Sequence, residues 1–249
     1  MRCDVYVDFD GTIAPSDPTD QLFDRFADPY WRVIEEEWQQ GGQTSRDCMQ
    51  RQVQLLRATP DEIDGYLASV KIDPGFPEFV RLCEARGSKV LVVSDGLDRV
   101  VSTVLRQSGL ELDFVANRFE WLGADRWTLK FPHSRSDCRS RMGNCKCGHR
   151  SAESVAAGRL QVLVGDGRSD FCLSERSHLV LAKGRLAEHC RQEGLPHLAI
   201  KDFAEATGFL TNWFEQHERE HEVRPRPALS QQRRQAATRR IPQKLRAAR

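Results

Sequence analysis

The sequence predicts an α/β protein, a Rossmann-like parallel sheet core with a small helical unit inserted near its N-terminal end. Three observations carry this prediction. Short β-branched, apolar segments alternate with amphipathic helical ones, the order that builds a parallel sheet with right-handed crossovers. Residues 15–73 show helical patterns and no strand pattern. Three of the strand segments end in turns rich in carboxylates and hydroxyls, and ligands gather at the carboxyl ends of strands in such sheets.

Taken in order, residues 3–9 read as a buried strand that runs into Asp8-Phe9-Asp10-Gly11-Thr12, and Pro15 and Pro18 then break the pattern. Across residues 19–69 the spacing is helical, with Leu22, Phe23 and Phe26 on one stripe and Trp31, Ile34 and Trp38 on another. Phe23, Phe26, Tyr30, Trp31 and Trp38 are expected to form the core of the inserted unit rather than to contact substrate. Gly41-Gly42 precedes a helix near residues 45–57, and Thr59-Pro60-Asp61-Glu62 has the pattern of a capped helix start. Pro74-Gly75 returns the chain to the sheet. A helix over 76–86 stops at Gly87, a strand over 89–93 runs into Ser94-Asp95-Gly96, and a helix over 97–107 ends at Gly109. Aromatic and β-branched residues over 114–131 predict a β-excursion, followed by an irregular stretch over 132–150. A helix over 151–157, a strand over 160–164, the turn Gly165-Asp166-Gly167, a helix over 170–176 and a strand over 178–182 complete the pattern. The expected organisation is a core of residues 1–14 and 74–222, a helical cap of residues 15–73 and a disordered basic tail of residues 223–249.

Composition narrows the class. At 249 residues, with 39% hydrophobic and 29% charged residues, the chain can bury one sizeable core and a smaller unit. No apolar run approaches the roughly 18 residues that a membrane span needs. Arg2, Asp4, Asp8 and Asp10 interrupt what would be an apolar export core, so a cytoplasmic address is expected. The eight cysteines are then expected as reduced thiols rather than a disulfide framework. The net charge of +1 is unevenly spread, because residues 223–249 hold eight Arg and one Lys and no acidic residue. The plain reading of that tail is a solvated extension, and the alternative is contact with nucleic acid or an anionic surface.

The polar turns carry chemistry. Asp8 and Asp10 stand two apart where a strand ends, Gly11 lets the backbone approach a ligand, and the Thr12 hydroxyl can donate to oxyanions. Asp166 and Asp170 stand about one helical turn apart in a second acidic turn. Carboxylates gathered at one sheet edge repel and raise one another's pKa unless a cation lies among them. Hard oxygen ligands of this kind suit Mg2+, which binds one or two carboxylates together with substrate phosphate. Such a cation would also let a carboxylate nucleophile approach an anionic phosphoryl group.

Together these segments resemble the haloacid dehalogenase superfamily of phosphatases. Asp8-Phe9-Asp10-Gly11-Thr12 is similar to its first motif, Val92-Val93-Ser94-Asp95-Gly96 to its second and Gly165-Asp166-Gly167-Arg168-Ser169-Asp170 to its fourth. The helical block after the first motif matches the position of the type 1 cap of phosphoserine phosphatase-like members. The resemblance spans roughly residues 3–215. It implies that Asp8 attacks phosphorus and becomes an aspartyl-phosphate, and that Asp10 protonates the leaving alcohol and then activates water. It further implies that Asp8, Asp166 and the Asp10 carbonyl bind Mg2+, with Asp170 in support. Ser94 would contact the phosphoryl oxygens, beside Gly11, Thr12, Asp95 and Gly96. For the third-motif cation Lys146 is the choice and Arg150 the rival, the remaining reading being that both solvate a loop.

Phe131-Pro132-His133-Ser134, followed by Cys138, Cys145, Lys146 and Cys147, is similar to a segment of the methionine-salvage phosphatases that act on 2-hydroxy-3-keto-5-methylthiopentenyl-1-phosphate. Neighbouring members act on phosphoserine, phosphocholine or phosphoethanolamine. Cys138, Cys145 and Cys147, with His133 or His149, also raise a zinc site as an alternative to buried thiols. The expected function is hydrolysis of a small phosphomonoester. The other readings are phosphoryl transfer to an alcohol acceptor, and a binding protein that works through its basic tail.

Overall fold

A seven-stranded sheet organises the chain in the computed structural model, which describes residues 2–138 and 141–223. The first strand, β1 (Cys3–Val7), is buried along its whole length, as a central strand covered on both faces must be. Four helices follow with no intervening strand: α1 (Pro18–Phe26), α2 (Trp31–Gln39), α3 (Ser45–Leu55) and α4 (Pro60–Leu67). Then come α5 (Phe76–Ala85), β2 (Lys89–Leu97), α6 (Asp98–Gln107) and the hairpin β3 (Asp113–Gly123) and β4 (Arg126–Lys130). A 3-10 turn (Lys146–His149), the short helix α7 (Ala152–Ala156) and β5 (Leu160–Gly165) lead to a second 3-10 turn (Arg168–Asp170) and α8 (Phe171–Ser174). The described chain closes with β6 (Leu179–Ala182), α9 (Gly184–Gln192), β7 (His197–Ala199) and α10 (Phe203–Val223).

The strand order is β4-β3-β2-β1-β5-β6-β7, parallel throughout except where β4 runs antiparallel to β3. Strands β2 and β5 flank β1, so the connections leave β1 in opposite directions. That arrangement opens a crevice at the carboxyl ends of β1 and β5.

Local chemistry sets the helix starts. Asp17 caps α1 by accepting from the Asp20 N–H, Thr44 caps α3 by accepting from the Asp47 N–H, and Thr59 with Glu62 forms a reciprocal capping box on α4. The hairpin supports the helical block. Trp127 stacks on Phe119 at 4.2 Å, and its indole N–H donates to the Ala58 carbonyl at 2.7 Å. Beneath the sheet, Phe203 of α10 packs edge-on against Phe76 and Phe79 of α5, with ring centroids 4.8 and 5.2 Å away.

Four expectations change. Of the aromatic residues expected in the core of the helical block, Tyr30 is 51% exposed, and Phe23 and Trp38 line a cavity. The strand into Ser94-Asp95-Gly96 extends through that turn to Leu97, so α6 begins at Asp98. The helix expected over 170–176 divides into a 3-10 turn and the four-residue α8. Elements α9, β7 and α10 follow residue 182, where the pattern reading assigns none. Strand β7 spans three residues, too few for an alternation to show. The basic stretch expected as a tail lies, beyond Val223, outside the described residues. Among those described, no helix is long and apolar enough to cross a membrane.

Candidate active site

The crevice between β1 and β5 is where the polar turns meet. Asp8 follows β1, and its backbone N–H donates to the Val164 carbonyl of β5 at 2.9 Å, which fixes the carboxylate at the sheet edge. Lys146 reaches it from the 3-10 turn. Its Nζ lies 2.6 Å from Asp8 Oδ1 and 2.8 Å from Asp170 Oδ1, and the side chain is 0% exposed. An ammonium so deeply buried is retained because two carboxylates flank it. Desolvation acts against its charge, yet Asp170 and Asp8 outweigh it and hold its pKa above the ordinary lysine value. Burial pushes the Asp8 carboxyl well above its usual range, the Asp170 charge adds to this, and Lys146 opposes it.

Asp10 is held from both sides. Thr19 donates to Oδ1 through its hydroxyl at 2.9 Å and its backbone N–H at 3.3 Å, while the Ser94 hydroxyl donates to Oδ2 at 3.1 Å. Ser94 Oγ in turn accepts from the Gly96 N–H at 2.8 Å. A Cβ at Gly96 would collide with the Asp10 carboxylate, so a side chain here would displace that group. Burial raises the Asp10 carboxyl, against the hydrogen bonds from Thr19 and Ser94.

The fourth-motif turn sits opposite. The Thr12 hydroxyl donates to Asp166 Oδ1 at 2.7 Å, so Thr12 braces this carboxylate. Gly11 has φ +75°, and a Cβ there would stand 2.5 Å from Asp166 Oδ2. Asp170 Oδ2 accepts from the backbone N–H groups of Asp166 and Gly167, both at 3.2 Å. Burial, then the Asp170 charge, pushes the Asp166 carboxyl up to about 6. Asp8, Asp166 and Asp170 each present a carboxylate oxygen within 4.8 Å of the others. Three hard oxygen donors converging beside a cradle that a Cβ would fill is a donor set that fits Mg2+.

Asp95 takes a different place. Its side chain lines the same cavity, but the carboxylate accepts from Ser45 Oγ at 2.6 Å, the Asn144 N–H at 2.6 Å and Asn117 Nδ2 at 3.2 Å. It ties α3 to the sheet and to the segment before Lys146. Arg150, the rival cation, lies away from Asp8. It lines a separate cavity with Cys138, Cys145 and Cys147.

The histidines expected beside those cysteines are engaged elsewhere. His149 Nε2 is 2.6 Å from Asn144 Oδ1, and its ring meets His133 edge-on at 4.9 Å. The residue that joins the cysteines is Cys172 of α8, whose Sγ lies within 4.8 Å of those of Cys138 and Cys145. Cys172 sits just past the fourth motif, far in sequence from the others, so no local spacing signals it.

Three further contributors escape the motif reading. Thr19 holds Asp10, Lys183 donates to the Thr12 carbonyl at 3.3 Å, and Asn144 donates to the Ser94 carbonyl at 2.8 Å. Asn144 precedes Lys146 by two residues, which is the signal that could have found it. Above the carboxylates lies a cavity of about 190 Å³. Its far wall mixes apolar Phe23, Trp38, Met49 and Met142 with Asp17, Asp20 and Glu35.

Known proteins share this pattern. The sequence model described as haloacid dehalogenase-like hydrolase matches residues 5–175. A protein of Brevibacillus brevis named 2-hydroxy-3-keto-5-methylthiopentenyl-1-phosphate phosphatase is 26% identical over 210 residues, 83% of this chain and 94% of that one. One of the same name from Exiguobacterium sp. is 25% identical over 213 residues, 84% of this chain and 98% of its own. Among solved structures, a substrate-bound phosphoserine phosphatase complex superposes with a TM-score of 0.64 at 20% identity, covering 84% of this chain and 98% of that chain. At that identity the likeness shows the fold.

Proposed function

Because this chain belongs to the haloacid dehalogenase-like hydrolases, we propose that it is a phosphomonoesterase whose nucleophile is Asp8. The observation that carries the reading is Lys146, buried between Asp8 and Asp170 at 2.6 and 2.8 Å, with Asp10 oriented beside them by Thr19 and Ser94. In the first half-reaction an Asp8 oxygen forms a bond to phosphorus, the bond from phosphorus to the ester oxygen breaks, and Asp10 gives that oxygen a proton. In the second, Asp10 takes a proton from water, whose oxygen attacks phosphorus, and inorganic phosphate leaves with Asp8 regenerated. Lys146 offsets the negative charge on Asp8 and stands where it can screen phosphoryl oxygens. Asp8, Asp166 and Asp170 would hold Mg2+, with the Asp10 carbonyl. When bound, it supplies positive charge that lets an anionic phosphoryl group enter an acidic site.

Residues 15–73 act in this reading as a cap that excludes water from the cavity. Contacts between the helical block and the sheet support that role. They include Ser45 Oγ on Asp95, the Arg168 guanidinium donating to the Gln39 carbonyl at 3.1 Å, and Arg168 lying 5.0 Å over the Trp38 ring.

The curated relatives make 2-hydroxy-3-keto-5-methylthiopentenyl-1-phosphate the first substrate to test, and Phe23, Met49 and Met142 offer apolar surface for a methylthio tail. The carboxylates of Asp17, Asp20 and Glu35 favour a second reading, a leaving group bearing an ammonium, as in phosphoserine or phosphoethanolamine. A panel holding both kinds of phosphomonoester, run with Mg2+, with EDTA and with Asp8→Asn, tests the function. Expected are metal-dependent release of inorganic phosphate from at least one member, abolition by EDTA and loss of turnover in Asp8→Asn. Full metal-dependent turnover by Asp8→Asn overturns the reading.

A further inference from the structure

We propose that Cys138, Cys145, Cys147 and Cys172 bind a structural zinc ion. The claim stands on the thiol geometry alone and does not rest on the phosphatase reading. The sulfurs of Cys138, Cys145 and Cys172 lie within 4.8 Å of one another, and the Cys147 sulfur is 3.4 Å from that of Cys145. In a tetrahedral site with zinc–sulfur bonds of about 2.3 Å, neighbouring sulfurs stand roughly 3.8 Å apart. The three mutually close thiols therefore need only small side-chain adjustments to take up three positions of a zinc coordination shell, and Cys147, against Cys145, is the donor at hand for the fourth. A disulfide requires sulfurs about 2.05 Å apart, and none joins the eight cysteines.

The surroundings match the charge of such a site. Binding replaces four thiol protons with one Zn2+, so the shell gains a net charge of about −2 and four protons go to solvent. Arg135, Arg150 and Arg176 line the cavity of about 480 Å³ beside the cysteines together with Asp137, which pairs with Arg135 at 2.8 Å, so three cations and one carboxylate face it. Arg150 Nε is buried there without a hydrogen-bond partner, a donor suited to a thiolate sulfur. A Cβ at Gly148 would stand 2.8 Å from Arg135 Cδ and 3.7 Å from Cys145 Sγ, so this glycine lets a guanidinium side chain lie against the sulfur cluster. Soft thiolate donors select zinc over Mg2+, which separates this site from the carboxylate set. The cysteines also bracket two residues of the acidic site. Lys146 lies between Cys145 and Cys147, and Asp170 lies two residues before Cys172, so zinc would clamp both supporting segments from behind.

The test is metal analysis of the full chain, purified without chelator and then desalted into metal-free buffer to clear weakly held metal. The expected result is about one equivalent of zinc per chain. It should fall to background in the double variant Cys138→Ser/Cys172→Ser and persist in Cys83→Ser, a buried cysteine elsewhere in the core. If the double variant fails to fold, cobalt substitution of the wild-type chain still decides. A thiolate-to-cobalt charge-transfer band with tetrahedral d–d bands supports the site, and an octahedral spectrum without that band overturns it. Zinc retained by the folded double variant, iron in place of zinc, or reduced thiols that take up no metal likewise overturn it.

Discussion

Two clusters lie back to back in this protein and solve the burial of ionisable groups differently. In one, Lys146 is enclosed by Asp8 and Asp170, and opposite charges compensate each other's desolvation. In the other, Cys138, Cys145 and Cys172 pack as small apolar groups with Cys147 at their edge. The same two pieces of chain serve both. The segment around the 3-10 turn sends Lys146 one way and Cys145 and Cys147 the other, and the segment through α8 does so with Asp170 and Cys172. The charge cluster carries its own cation in Lys146 beside the carboxylates that would hold Mg2+, whereas the thiol cluster is neutral until deprotonated. A disturbance on the charge side should therefore be felt as lost chemistry, and one on the thiol side as lost order.

The sharpest way to break the comparison is at Lys146. Lys146→Met leaves two buried carboxylates facing each other, so we expect turnover to fall by at least about 10³-fold and folding stability by roughly 3–5 kcal/mol. Asp8→Asn removes the nucleophile while preserving shape, so turnover should fall as far with little change in stability. Single-turnover assays beside denaturant melts separate the two outcomes. A Lys146→Met protein with near-normal turnover would show that charge compensation at Asp8 is not what the lysine provides.

A smaller effect is expected at Arg150, which belongs to the thiol side. Arg150→Ala should leave turnover within about threefold of wild type, because the side chain lines the cysteine cavity rather than the one over Asp8. Steady-state kinetics on the best substrate of the panel checks this. A loss as large as that of Lys146→Met would move the essential cation from one cluster to the other.

How legible each cluster was follows from the same contrast. Asp8, Asp10, Asp166 and Asp170 sit in the turns that follow β1 and β5, and strand ends on a parallel sheet converge, so their meeting was readable from order and spacing. Lys146, by contrast, lies in an irregular stretch well past β4 and was singled out, with Arg150 as rival, only through the family resemblance. The thiol cluster depends on Cys172, which no local pattern connects to Cys138, and sequence spacing pointed instead to His133 or His149. Those rings pair with each other and with Asn144. The helical block was readable from its stripes and from the Thr59–Glu62 capping pair. Asp95 was expected among the substrate-binding residues; it lines the cavity, and its carboxylate is tied to Ser45, Asn117 and Asn144. Sequence gives the residue type at a turn, while the side chain's partner depends on loops that arrive from elsewhere.

The smallest effect is expected at the far wall of the cavity, where half-buried carboxylates gather without the compensation that Lys146 provides. Burial, followed by the charges of Glu35, Asp10 and Asp24, pushes the Asp20 carboxyl up to about 7, against the smaller effect of Arg32. A carboxyl raised in the folded state contributes stability that is complete below its unfolded pKa near 3.9 and is lost as pH rises through about 7. Asp20→Asn should therefore flatten the fall in melting temperature between about pH 4 and pH 7. Above pH 7 the variant should melt a few degrees higher, about 2–4 °C for each kcal/mol recovered. Melting curves at fixed ionic strength without added divalent metal test this, and a difference between variant and wild type that does not change with pH would rule out Asp20 titration as its source. The same substitution weakens the acidic wall. If that wall holds an ammonium-bearing leaving group, Asp20→Asn should raise KM for phosphoserine or phosphoethanolamine and leave KM for an uncharged leaving group unchanged. A residue that destabilises the free protein and tightens only one class of substrate marks the wall as built for binding rather than for folding.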